Sequence, residues 1–130
     1  MFKRIDHVEI IPTDFEKALN FYQDVLNFKL WQRQEVDMPP LQQIAYLTLG
    51  DTMLELLQVE GNKESIVNYW GIGYRMMALE VDDMDEAVEY LENQNVKVTW
   101  GPIDLGGTKR AEIQDPDGIS IELREWSNKS

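Results

Sequence analysis

Few side chains in this 130-residue chain are equipped for chemistry. There is one histidine, His7, and no cysteine, which excludes thiolate metal sites, disulfides and a cysteine nucleophile. In the run IDHVEII, His7 and Glu9 share one face of an extended strand, and Val8 and Ile10 occupy the other. Glu55, between Leu54 and Leu56, and Glu122, between Ile121 and Leu123, stand in similar alternating runs. Imidazole and carboxylate groups can hold a divalent cation or pass a proton. Each residue also has a plainer reading when taken singly. A lone strand histidine is ordinarily structural, and a glutamate between apolar neighbours ordinarily faces water. A duplication in the chain favours a shared site.

The first copy begins with the His7 strand. Pro12-Thr13-Asp14 forms a turn with a capping residue, and Phe15, Ala18, Leu19, Tyr22 and Leu26 recur at helical spacing up to Asn27. The same order returns from Arg75, as the strand RMMALEV and then Met84, Ala87, Val88 and Leu91 at helical spacing. The acidic run Glu80-Val81-Asp82-Asp83 reads as the start of that second helix, where carboxylates favour the positive end of the dipole. Superposed without gaps, His7 falls on Met76 and Ala18 on Ala87, both pairs 69 residues apart. FKLWQR, QQIAYLTLG and TMLELLQV follow the first helix as strands, and VKVTW, KRAEIQD and ISIELREW follow the second. Gly50-Asp51 and Asp117-Gly118 are hairpin signals, and matching them aligns Glu55 with Glu122. Each half therefore reads βαβββ, an α+β class, with modules at about residues 1–60 and 74–127 and a polar linker with a short helical turn at about 61–73. Neither half alone covers both sides of a sheet, so the expectation is one cooperative domain over 1–130.

The segments Ile5-Asp6-His7-Val8, Leu54-Glu55-Leu56 and Ala78-Leu79-Glu80-Val81-Asp82-Asp83, with QDPDG followed by Ile121-Glu122-Leu123, resemble the vicinal oxygen chelate superfamily of glyoxalases, bleomycin-resistance proteins and dioxygenases. The likeness covers nearly the whole chain. Gly101-Pro102 and Gly106-Gly107-Thr108 make it similar to short bacterial glyoxalase I. The resemblance implies two tandem βαβββ modules forming a curved mixed sheet around a shared cavity. It also implies a metal held by one residue from each of four strands, here His7, Glu55, Met76 and Glu122. A thioether is a poor ligand for hard or borderline ions, and the family pattern has histidine at the third position, so Met76 is the informative departure. His7, Glu55 and Glu122 remain as an open site for Zn, Ni, Mn or Fe.

The activity implied is that of a lactoylglutathione lyase-like enzyme or a related isomerase. Two vicinal oxygens of a small substrate chelate the ion, and a carboxylate removes a proton beside a carbonyl to give an enediolate-type anion. Glu122 is the implied base, and Glu55 its pseudo-symmetric partner. Dioxygenase relatives use two histidines, which disfavours that chemistry here. A non-enzymatic antibiotic-binding protein of the bleomycin-resistance type is the alternative, with some of Trp31, Tyr46, Trp70, Trp100 and Trp126 stacking on a planar ligand. A fosfomycin-resistance-like thiol transferase is less favoured, because that group has histidine where Met76 stands. Relatives of this kind form homodimers, with His7 meeting glutamates of its own chain or of the partner.

Composition agrees with a folded domain and narrows its partners. The apolar fraction is 43% and the aromatic fraction 10%, as in globular proteins. Twelve basic against 24 acidic residues give a formal charge of −12, which disfavours nucleic acid and anionic membranes as partners. No apolar run is long enough to span a bilayer, and the start MFKRIDHVEI lacks the apolar core of a secretory signal. The expected location is cytoplasmic.

Overall fold

The structure is a computed structural model, and it describes residues 1–61, 64–65 and 70–127. Much of the expected linker, and the helical turn expected there, lies outside the described residues. The chain divides into two compact units, Met1–Glu64 and Ser65–Ser130.

The first unit runs β1 (Val8–Ile10), α1 (Phe15–Asn20), β2 (Lys29–Met38), β3 (Leu41–Leu49) and β4 (Thr52–Val59). Its sheet order is β1-β4-β3-β2, with β1 parallel to β4 and the remaining pairs antiparallel. Asp14 caps α1 by accepting the Lys17 backbone N–H at 3.0 Å, a contact worth about 1 kcal/mol. The helix does not stay α-helical to Asn27. It passes into a π-helical turn, Phe21–Val25, where Leu26 N–H donates to Phe21 C=O, and Asn27 ends it at a positive φ of 63°. Phe15, Ala18, Leu19 and Tyr22 are buried, as are Ala45, Leu47, Leu54 and Leu56 of β3 and β4. Tyr22 meets Phe28 edge to face at 5.7 Å. With one sheet face committed to the helix, alternation sends Tyr46 and Glu55 to the other.

The second unit repeats the pattern with β5 (Met77–Glu80), α2 (Met84–Asn93), β6 (Trp100–Asp104), β7 (Thr108–Gln114) and β8 (Ser120–Trp126). Its order, β5-β8-β7-β6, has the same mixture of one parallel and two antiparallel pairs. Asp83 caps α2 by accepting Glu86 N–H at 3.0 Å. Met84 N–H donates to the Glu125 carboxylate of β8 at 2.7 Å, which ties the helix start to the sheet. Met84, Leu91, Ala111, Ile113, Ile121 and Leu123 are buried. Two four-stranded mixed sheets with few helices thus bear out the α+β, twice-βαβββ reading.

Three local expectations are corrected. The His7 strand is shorter than residues 5–11, because ladder pairing with β4 runs only from Val8 to Ile10. VKVTW is not a strand before Trp100. The ladder to β7 starts at Trp100 and is interrupted by a register shift before Ile103, where Gly101 takes φ 76°. Glu80 belongs to β5 and not to the start of α2, since the cap is Asp83.

Candidate metal centre

Register brings the first unit's chemistry together. Glu9 of β1 lies directly opposite Glu55 of β4, whose other neighbour is Tyr46 of β3. His7 is two residues before Glu9, so both point from the face that Glu55 occupies. His7 Nε2 is 2.8 Å from Glu9 Oε2 and 3.1 Å from Glu55 Oε2. On the opposite side of the ring, Nδ1 donates to Asp6 Oδ2 at 2.9 Å. One donor atom from each of His7, Glu9 and Glu55 lies within 4.8 Å of the other two.

The electrostatics follow from one imidazole among three carboxylates. Hydrogen bonds to Asp6 and then Glu9 raise the His7 pKa to about 9; burial opposes them, and the charges of Glu55 and Glu9 add to the rise. The Glu55 carboxyl is pushed up chiefly by burial, with His7 pulling it down and Glu9 and Asp6 pushing it further up. Glu55 is 9% exposed, so the reading of a glutamate on a wet strand face does not hold for it.

A divalent ion fits this donor set. It offers an imidazole nitrogen and carboxylate oxygens, ligands that suit borderline and hard divalent ions. An Asp6 carboxylate on Nδ1 fixes the ring so that Nε2 faces the other donors, an arrangement that commonly supports a ligating histidine.

Glu122 has a different environment. It is also 9% exposed, and it sits opposite Ala78 of β5 and Glu112 of β7. Arg110 Nη2 donates to Glu122 Oε1 at 2.6 Å and lies 3.0 Å from Glu112 Oε2, while Arg124 Nε donates to Glu122 Oε2 at 2.9 Å. Both oxygens of Glu122 are therefore held by guanidinium groups. Met76 stands half-buried immediately before β5.

Of the aromatics considered for ligand stacking, three carry an arginine. Arg75 lies over Trp70 at 4.3 Å, Arg110 over Trp100 at 4.7 Å and Arg124 over Trp126 at 5.0 Å. Trp31 and Tyr46 meet edge to face at 5.8 Å on the first unit's sheet. Sequence reasoning placed Glu9 on the His7 face but gave it no role, and it missed Asp6, Arg110 and Arg124. The spacing of Glu9 from His7 was the available signal.

Two βαβββ units, the first with an imidazole and carboxylates gathered on the sheet face away from its helix, define a class of small α+β proteins suited to holding a cation or polar ligand against a sheet. The chain belongs to the Glyoxalase/Bleomycin resistance protein/Dioxygenase superfamily, whose family model matches residues 4–123. It is 37% identical to a lactoylglutathione lyase of Neisseria meningitidis over 123 residues, covering 92% of this chain and 88% of that protein. The metallothiol transferase FosB of Staphylococcus saprophyticus is 29% identical, with 95% of this chain and 77% of that protein covered. Among solved structures, a glyoxalase family protein from Enterococcus faecalis superposes with a TM-score of 0.81 at 26% identity, over 95% of this chain and 98% of that one.

Proposed function

We propose that this protein is a metal-dependent lyase or isomerase of glyoxalase type, acting on a small substrate with two vicinal oxygens. The observation that carries the reading is the His7–Glu55 pair at 3.1 Å, with Asp6 orienting the ring from behind. Similarity to lactoylglutathione lyases over most of the chain supports it. His7 and Glu55 would hold a divalent ion such as Zn, Ni, Mn or Fe. When bound, the ion supplies Lewis-acid polarisation of substrate oxygens.

The remaining chemistry belongs to the chain's own residues. Asp6 keeps the imidazole in one orientation. Glu122 is the carboxylate proposed to take the proton beside the substrate carbonyl, with Glu55 as its counterpart in the first unit. Arg110 and Arg124 hold both Glu122 oxygens, so Glu122 accepts a substrate proton only when one of these pairs opens.

The test uses protein stripped by chelator, then supplied with Zn, Ni, Mn and Fe(II) in turn. Calorimetry should show binding of one ion per site, and formation or cleavage of lactoylglutathione should appear only with ion present. Absence of binding for every ion would sink the reading. In that case a ligand-sequestering role takes its place, for which the exposed Trp31 beside Tyr46 offers a planar contact surface.

A further inference from the structure

The two units should carry equivalent donors if each supplied the same share of a metal site, and they do not. Strand pairing gives the correspondence directly. Glu9 faces Glu55 across β1 and β4, and Ala78 faces Glu122 across β5 and β8. Ala78 is therefore the second unit's counterpart of Glu9, at the same 69-residue separation that relates Met76 to His7. The first unit presents His7, Glu9 and Glu55, three donors. The second presents Met76, Ala78 and Glu122, of which only the last is a donor for a hard or borderline ion. That one is occupied by Arg110 and Arg124.

We infer that Glu9 replaces the ligand missing at Met76, so that the ion is held by His7, Glu9 and Glu55, all from the first unit, while Glu122 is not a ligand. The inference rests on the metal-dependent reading above and departs from a site shared equally between the modules. Geometry supports it. Bonds of about 2.0 to 2.2 Å put neighbouring ligand atoms about 2.8 to 3.4 Å apart, and the contacts from His7 Nε2 to Glu9 and Glu55, at 2.8 and 3.1 Å, fall in that range. Charge supports it as well. Asp6, Glu9 and Glu55 surround one imidazole, so a divalent cation there meets an excess of negative charge. At Glu122 the same ion would have to displace two guanidinium groups or lie beside them.

The test is titration of chelator-stripped protein with Co²⁺, read by calorimetry and by the visible ligand-field bands of the bound ion. Wild type should bind one ion per chain. Glu9→Gln should weaken binding at least tenfold and change the bands, and Glu9→His, which restores a donor, should recover most of the affinity. Glu122→Gln should leave affinity within threefold and the bands unchanged. Circular dichroism of each stripped variant controls for folding. If Glu122→Gln weakens binding as much as Glu9→Gln, or if Glu9→Gln binds like wild type, this ligand set is wrong while the metal-dependent reading stands. If wild type binds no Co²⁺ and none of the other ions, both fall together.

Discussion

His7 is bracketed at both ring nitrogens, by Asp6 at Nδ1 and by Glu9 and Glu55 at Nε2, and this makes it a cation at neutral pH in the metal-free protein. As the only histidine in the chain, it gives a single imidazole signal in NMR. That signal is expected to titrate at about 9 and not near 6.5, and Asp6→Asn is expected to bring it down. The folded pKa lies above the unfolded one, so the stabilisation from charged His7 is fully present below about pH 6.5 and is lost as pH rises through about 9. Denaturant midpoints of metal-free wild type and His7→Ala should accordingly lie furthest apart near pH 6 and converge by pH 10. His7 and Glu55 were legible in the sequence because the repeat singled them out. Glu9 was legible only as a residue sharing the His7 face and Asp6 not at all, since one acid among 24 gains a role only when a partner is beside it.

Turns and register shifts set which residues face each other, and one of each can be tested directly. Asp115 is buried, and its side chain accepts the backbone N–H of Asp117 at 2.8 Å and of Ile119 at 3.0 Å. Asp115→Ala leaves both donors without that acceptor and is expected to cost about 1 to 3 kcal/mol by chemical denaturation. This turn fixes the β7–β8 register that places Glu122 opposite Glu112. Gly101 has φ 76°, and a Cβ there would stand 2.8 Å from the Arg110 carbonyl oxygen. Gly101→Ala is expected to destabilise by about 1 to 3 kcal/mol, visible as a lowered thermal midpoint. Strand β4 was read from its alternation at the bounds it has, Thr52–Val59. Strand β6 was read several residues early, because VKVTW has strand composition while the ladder begins only at Trp100. Local propensity is overridden where backbone partners are available only further along.

For the whole molecule, a homodimer is the proposed assembly. The apolar side chains Phe2, Ile5 and Ile11 are exposed at the start of the first unit, and β1 is an edge strand of its sheet, so both offer surface that a second chain could cover. Sedimentation equilibrium should give twice the 15.2 kDa chain mass. No helix among the described residues is long and apolar enough to cross a membrane. By itself the sequence determined the duplication, the equivalence of Glu55 with Glu122 and that of His7 with Met76, because these are periodic or positional facts about a chain; that Met76 stands where a ligand is expected came from the family resemblance. Only the tertiary structure decided that Glu9 joins His7 and Glu55 while Arg110 and Arg124 take Glu122. The His7–Glu55 and Arg110–Glu122 pairs cross between segments, and their register is settled by turn geometry together with hydrogen bonding and burial across the sheet, which no single strand's run of residues specifies.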